Sequence, residues 1–291
     1  MAPVRQTISQ PGSNQPALGP DGRLASAPPH LRDLLALASE LARDAALVHV
    51  EGRRSALDIE TKSSPTDLVS QVDREAEQVI VDRLREVRPD DAVLAEEGAE
   101  SKGTSGVRWV IDPLDGTTNY VYGYPSFAVS IAVEIEGRPQ VGVVHDSSAG
   151  HVYRAISGFG AVCDDLPLRV RGQPDLAKAL VATGFSYEAA QRERQGLVVA
   201  RLLGRVRDIR RSGSAALDLC HVAAGHVDAY WEAGLSPWDF AAGLVIAREA
   251  GAEVLVIETA HGRGPCVIAA PPSLMPDFHG LLREAGEFVR S

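Results

Sequence analysis

The segment Trp109-Val-Ile-Asp-Pro-Leu-Asp-Gly-Thr-Thr-Asn119 holds the densest chemistry in this 291-residue sequence. A short apolar run, Trp109 to Ile111, ends on Asp112. Pro113 lacks a backbone donor and suits neither a sheet interior nor a helix interior, so the chain is expected to turn there. Asp115 follows, then Gly116, which permits a tight backbone; Thr117, Thr118 and Asn119 suit a turn or a helix start. Two carboxylates three residues apart on such a turn can converge on one point. Hard divalent cations favour carboxylate and carbonyl oxygen, and N–H groups after Gly116 can face an anion. Together these imply metal-bridged phosphate chemistry. Taken alone, an Asp-Pro-Leu-Asp segment reads more simply as a pair of turn formers.

Further acids at the ends of apolar runs shift that balance. Glu96 and Glu97 follow Ala92-Val-Leu-Ala95, Asp239 follows Trp238 where a helix begins, and Asp67 lies in a Pro-Thr-Asp loop. Each has a plain structural reading: a solvated acidic pair for Glu96 and Glu97, a helix N-cap for Asp239. Their repeated placement at the ends of elements favours one shared site.

The elements that must position these acids are legible from periodicity. Residues 1–29 are rich in Pro, Gly, Ser, Ala and Gln without apolar periodicity, which predicts a disordered tail. Leu31, Leu34, Leu35, Ala38, Leu41, Ala42 and Ala45 repeat at helical spacing. Lys62 to Asp67 is expected to be a loop or strand edge, followed by a helix over about 70–87 whose first turn carries Asp73, Glu75 and Glu77. Strands are predicted at 127–135 and 141–144 about a hairpin at Glu136-Gly-Arg-Pro139, with 152–155 extending the sheet. The second half alternates: strands near 180–183, 206–209, 229–231, 254–257 and 267–270, and helices near 190–203, 215–224, 240–250 and up to about 289, with Gly225 and Gly251 as helix stops. Antiparallel strands first and alternating elements later predict an α/β fold with two sheets layered between helices.

Composition narrows the function classes. A hydrophobic content of 45% and a charged content of 23% describe a globular chain. No apolar run approaches the roughly 18 residues of a membrane span, so no membrane association is expected. A net charge of −10 argues against a general nucleic-acid binder. Cys163, Cys220 and Cys266 are an odd, unpaired set, which predicts a reduced, cytoplasmic protein in which each is a small buried hydrophobe. His221 and His226 are five apart without a cysteine pair, which is not zinc-ligand spacing. Gly158-Phe-Gly160 reads as a turn, no Walker-type phosphate loop occurs, and Ser212-Gly-Ser214 has no partner constellation of a nucleophile elbow. Arg205, Arg207, Arg210 and Arg211 form a basic cluster, read first as a solvated strand face and otherwise as a contact for a substrate anion or RNA.

Taken in order, Lys62-Ser-Ser-Pro-Thr-Asp-Leu-Val69, Glu96-Glu-Gly98, Trp109 through Asn119, Gly213-Ser-Ala-Ala216, Tyr230-Trp-Glu232 and Trp238-Asp-Phe-Ala-Ala-Gly243 resemble the words of the inositol monophosphatase family, within the wider lithium-sensitive, Mg²⁺-dependent sugar phosphatases. The resemblance implies an αβαβα sandwich of the inositol monophosphatase and fructose-1,6-bisphosphatase type. It implies a phosphatase domain over 30–291, split into an N-terminal subdomain of about 30–167 and a C-terminal one of about 168–291. It also implies two or three Mg²⁺ ions. Glu96, Asp112 and the Leu114 carbonyl resemble ligands of a first ion; Asp112, Asp115 and Asp239 those of a second; a third, weaker ion would lean on Glu96 and waters. Glu97 would lie in the outer shell. Asp67 and Thr117 resemble the pair that activates the attacking water, with Glu96 alongside them, and Gly116 and Thr117 the donors to the phosphate. Gly213, Ser214, Ala215 and Glu232 resemble the part that holds polyol hydroxyls, beside Asp115 and Asp239. The substrate so implied is myo-inositol monophosphate or a similar small polyol phosphate. Histidinol phosphate, fructose 1,6-bisphosphate and 3′-phosphoadenosine 5′-phosphate are the alternatives, and Glu232 favours the inositol branch because its carboxylate can accept a substrate hydroxyl. The family also implies a homodimer and lithium inhibition. Some bacterial members act with transcription or ribosomal-RNA maturation machinery, which makes an accessory role through protein or RNA binding a second expectation.

Overall fold

The computed structural model describes residues 22–58, 65–258 and 264–288, with the side chains of 22–23 and 55–70 outside the description. The first half runs α1 (Gly22–Ala25), α2 (Pro29–Asp58), α3 (Pro65–Val87), β1 (Ala92–Ala95), β2 (Glu100–Ser101), β3 (Val107–Asp115), α4 (Thr117–Tyr122), β4 (Ala128–Ile135), β5 (Arg138–Asp146), β6 (Val152–Ile156), β7 (Ala161–Cys163) and β8 (Leu166–Pro167). After a 3₁₀ turn at Leu176–Lys178 come β9 (Leu180–Thr183), α5 (Ala189–Leu202), β10 (Asp208–Arg210), α6 (Ala215–Ala223), β11 (Ala229–Ala233), α7 (Pro237–Glu249), β12 (Glu253–Glu258), β13 (Pro265–Ala270) and α8 (Met275–Ala285).

The strands make two sheets, one ordered β2-β1-β3-β4-β5-β6-β7-β8 and the other β10-β9-β11-β13-β12. Three apolar clusters fill the spaces. Leu41, Ile80 and Leu84 of α2 and α3 pack on one face of the larger sheet with Trp109, Ile111 and Ile131. Leu217 and Leu219 of α6 and Leu244 and Ile246 of α7 lie between the sheets, against Val110, Tyr230 and Val267. Leu202 of α5 and Phe278 and Leu282 of α8 cover the outer face of the smaller sheet. The layers are therefore helix, sheet, helix, sheet, helix, as the sequence implied. No helix among the described residues is long and apolar enough to cross a membrane.

Several boundaries differ from expectation. The predicted tail lies outside the described residues up to 21, but 22–29 is ordered into α1 and the start of α2. Leu24 packs on the first cluster and Ala27 is buried, so a few apolar residues in a polar stretch suffice to dock it. Lys62 to Ser64 lie outside the described residues, whereas Pro65 to Asp67 open α3 rather than forming a loop. Proline is well tolerated in a first helical turn, which needs no donor from it. That start moves Asp73 and Glu77 from the first turn into the helix interior. α8 stops at Ala285, short of 289, because Gly286 takes the left-handed conformation at φ 90.

A candidate acidic active site

The larger sheet delivers three acids to one rim. In a regular strand, residues three apart face opposite sides. Asp112 and Asp115 escape this because β3 is irregular: Asp112 pairs with Ser130 and Asp115 with Ala128, so three steps on β3 match two on β4. The extra residue restores the parity and turns both carboxylates the same way. The expected turn after Pro113 is thus a bulge inside a continuing strand, where a proline costs least. The parallel pairing of β1 with β3 sets Ala95 beside Ile111, so Glu96 emerges beside Asp112, where the two carboxyls influence each other's protonation. Trp109, fully buried, anchors the strand through an indole N–H donated to Asp91 at 2.9 Å.

The fourth acid comes from α7. Its N-cap is Ser236 and Asp239 is the third helical residue, so Asp239 is not the N-cap that its position suggested. Its carboxylate accepts the Ser236 N–H at 2.6 Å, which holds it at the helix start. The Ser130 hydroxyl donates to the Trp238 carbonyl at 3.2 Å and ties α7 to β4. α6 orients Asp115: the Ser214 hydroxyl and the Ala216 N–H both donate to its Oδ2, at 2.6 and 2.8 Å. Ser214 is buried and also caps α6 by accepting the Leu217 N–H, so its hydroxyl is committed to the protein.

Electrostatics mark the four acids as a strained set. Burial, then Glu96, Asp115 and Asp239, push the Asp112 carboxyl well above its ordinary range. Burial raises Asp115 to about 7, even though the bonds from Ser214 and Ala216 favour its charged form. Burial and Asp115 push Asp239 up to about 8. Glu96 is raised by burial, with Glu97 and Glu77 adding to it. Such a set is stabilised either by bound protons or by cations, and an all-oxygen set of carboxylates with a main-chain carbonyl would suit Mg²⁺ or a similar hard ion.

The loop after Asp115 is built by backbone freedom. Gly116 sits at φ 90, and a Cβ there would lie 2.7 Å from the Ser126 carbonyl and 3.3 Å from that of Gly213. Gly116 and Gly213 are therefore neighbours across the cleft. Asn119 locks them by donating to the carbonyls of Ser126 and Ser212 at 2.6 and 2.8 Å. The Thr117 hydroxyl donates to the Leu114 carbonyl at 3.0 Å, while Leu114 itself is fully buried. Glu232 accepts from Tyr230 at 2.9 Å, and burial, then Asp218, raise it to about 8. Ala215 is buried at the start of α6. Asp67 lies in the first turn of α3, and its side chain is outside the described residues.

Three supporting residues were not connected with the site in the sequence reading, which placed Asp73 and Glu77 only at a helix start. Asp73 is buried, and burial, Glu97 and Glu96 raise it to about 8. Glu77 accepts the N–H groups of Glu97 and Ala99 at 2.9 and 3.1 Å, and so holds the turn that carries Glu96. Their one-turn spacing beside the apolar positions Val72, Ala76 and Ile80 was the available signal. His49, buried in α2, is pushed down to about 4 by burial. As neutral imidazole it donates Nε2–H to the Pro113 carbonyl at 2.9 Å and accepts the Ser147 hydroxyl at Nδ1, also at 2.9 Å. It thereby braces the bulge.

The Glu77 contact predicts a measurable support effect. Glu77→Ala leaves two N–H groups without their acceptor and loosens Glu96, so metal affinity is expected to fall about 10–100-fold, the usual cost of losing an outer-shell partner. Calorimetric Mg²⁺ titration of the variant checks this; unchanged affinity would refute the coupling.

The basic cluster separates in space. Arg207 and Arg210 line a cavity of about 410 Å³ with Arg171 and Lys178 at the β10 edge, whereas Arg205 lines another, of about 520 Å³, beside α8.

Comparison with known proteins places these features in context. The sequence profile described as "Inositol monophosphatase family" matches residues 30–286. "Inositol-1-monophosphatase SuhB" of Mycobacterium tuberculosis H37Rv is 44% identical over 271 residues, covering 86% of this chain and 93% of that protein. "Nus factor SuhB" of Pasteurella multocida is 41% identical over 247 residues, covering 83% and 92%. The solved structure of Mycobacterium tuberculosis SuhB superposes with a TM-score of 0.77 at 41% identity, covering 88% of this chain and 97% of that one.

Proposed function

The chain belongs to the inositol monophosphatase family, and on that footing we propose that it hydrolyses a small polyol phosphate, myo-inositol monophosphate first, with Mg²⁺ at the acidic rim. What supports the reading is that Glu96, Asp112, Asp115 and Asp239, from three separate elements, lie near enough to raise the carboxyl pKa values within the set. Glu96, Asp112 and the Leu114 carbonyl would hold one ion, and Asp112, Asp115 and Asp239 a second. Bound there, the ions would neutralise a phosphate dianion and lower the pKa of an attacking water.

The chain's own groups have distinct tasks. Asp115 is oriented by Ser214 and Ala216, and Asp239 by the start of α7. Thr117, bonded to the Leu114 carbonyl, and Asp67 are assigned to the attacking water. Gly116 leaves room for the ester to approach the backbone. Gly213, Ala215 and Glu232 are assigned to the polyol. Ser214 is assigned to holding Asp115, since its hydroxyl is already bonded there.

The test is phosphate release from a panel of inositol 1-phosphate, histidinol phosphate, fructose 1,6-bisphosphate and 3′-phosphoadenosine 5′-phosphate. Inositol 1-phosphate is expected to give the highest kcat/KM. A value below about one-hundredth of another member's would move the specificity elsewhere, since that gap exceeds what a small shape mismatch produces.

A second reading draws on the relative named as a Nus factor and on the cavity at the β10 edge, whose lining carries Arg171, Lys178, Arg207 and Arg210 beside Asp208 and Asp228. It is an accessory role with transcription machinery, compatible with catalysis and with a homodimer. Capture of the same partners by Asp112→Asn and by the unaltered chain would support a separate binding surface; loss of all partners in the variant would count against it.

A further inference from the structure

We infer that the rim of the larger sheet carries a second metal site, for a zinc-class transition ion, formed by His151, Cys163 and Asp164. One ligand atom from each of the three lies within 4.8 Å of the other two, and His151 Nδ1 is 2.6 Å from Asp164 Oδ2. The donors rest on a backbone already in place. His151 immediately precedes β6, and Cys163 ends β7 in register with Tyr153. His151 is two residues from Tyr153, so its side chain and that of Cys163 leave the same face of the sheet. Asp164 takes the left-handed conformation at φ 46 as it opens the turn to β8. It is fixed by two bonds to Val152: its N–H donates to the carbonyl at 3.1 Å, and its Oδ1 accepts the N–H at 2.9 Å.

The donor set selects the metal. An imidazole nitrogen, a thiolate sulfur and a carboxylate oxygen suit Zn²⁺ or Co²⁺ and not Mg²⁺, which wants oxygen alone. Bonds of about 2.0–2.3 Å in a tetrahedron put ligand atoms roughly 3.3–3.8 Å apart. Small side-chain rotations reach that spacing, with the ion taking the place of the proton now shared by His151 and Asp164. Thiolate and carboxylate together balance the divalent charge. His151 and Asp164 are exposed and Cys163 half-buried, which leaves the fourth position open to water. Counted across the sheet, Asp115 pairs with Ala128 and Ala128 with Asp146, and β6 is the next strand. The two sites are therefore about 15 Å apart, three strand spacings, and the inference stands independently of the phosphatase reading. A bound ion ties the start of β6 to the end of β7.

The experiment is Co²⁺ titration of the full chain with Mg²⁺ in excess to occupy the carboxylate rim, read by near-ultraviolet absorption. The expected result is one equivalent of Co²⁺ with a thiolate-to-cobalt charge-transfer band. That band should vanish in Cys163→Ser, weaken at least about tenfold in apparent affinity in His151→Ala, and persist in Asp112→Asn. The absence of a band in the unaltered chain would overturn the site and leave a surface His–Asp hydrogen bond. A band that survives in Cys163→Ser would assign the thiolate to Cys220 or Cys266 and also overturn it. If Cys163→Ser fails to fold, His151→Ala decides, because His151 is exposed and its loss does not threaten the core: unchanged cobalt affinity there refutes the site.

Discussion

Asp112→Asn is expected to lower kcat by at least about 10³-fold while leaving the fold intact, a larger loss than removal of a single transition-state donor. The residue sits at the centre of the acidic set: Glu96, Asp115 and Asp239 all bear on it, and burial denies it water. Asparagine keeps the shape and can still accept the Leu114 N–H that Asp112 Oδ1 accepts at 3.0 Å, so local structure should persist. What disappears is the negative charge that two cations would share. Steady-state kinetics with saturating Mg²⁺ measure the loss, and thermal melting in chelator measures the fold. The two readouts should therefore separate. Without metal, removing one carboxylate relieves repulsion, so the variant should melt no lower than the parent at pH 8. Near-normal turnover in the variant would refute the ion assignment, and a collapse in melting temperature would show a structural role instead.

Metal-free protein is expected to lose stability as pH rises from 6.5 to 8.5, and Mg²⁺ to restore much of it. The ordinary carboxyl value of 3.8 for Asp is raised to about 7 at Asp115 and about 8 at Asp239 and Asp73, and Glu232 is raised from 4.5 to about 8. Over this window the folded chain holds protons that the unfolded chain has already released, so stability falls with pH. Below pH 6.5 the sign is mixed, because His49, His145, His226 and His279 are pushed down by burial and favour folding more as pH rises. Above it the carboxyls dominate. Each pKa unit is worth about 1.4 kcal/mol, so the metal-free melting temperature should drop on the order of 10 °C. Mg²⁺ should stabilise more at pH 8.5 than at pH 6.5, since it competes with those protons. A residual decline with Mg²⁺ present is expected from Asp73 and Glu232, which lie outside the assigned ligands. Equal Mg²⁺ stabilisation at both pH values would refute the linkage.

The two experiments probe the same physical object from opposite sides. One removes a charge and keeps the ions, whereas the other removes the ions and keeps the charges. Agreement between them would separate a metal-holding rim from a set of buried acids that are merely protonated.

Much of the layered fold was legible in the chain. Helical spacing marked the apolar face of α2, and the apolar runs of β4 and β9 lie where they were expected. The acids assigned to the site were also visible in the sequence, since Asp112 and Glu96 follow apolar runs, Asp115 follows Pro-Leu and Asp239 follows Trp238 where a helix begins. Boundaries fared worse where one residue serves two structures. Pro113 suggests a stop, yet β3 continues through it, because the neighbouring β4 accommodates one extra residue. Asp239 suggests an N-cap, yet Ser236 takes that place three residues earlier.

Local sequence therefore determined which side chains could bind cations and which short elements would carry them, because both depend on residue type and spacing within a few neighbours. Only the tertiary structure decided that the acids come within electrostatic reach of one another. The parity of Asp112 and Asp115 depends on register with β4, and the place of Glu96 on parallel pairing of β1 with β3. Asp239 depends on the docking of α7, a hundred residues further along. Asp73 and Glu77 read as acids of a helix start until α3 is laid against the turn at Glu97. Pairing register and helix docking are set by long-range packing, which no local window of residues contains.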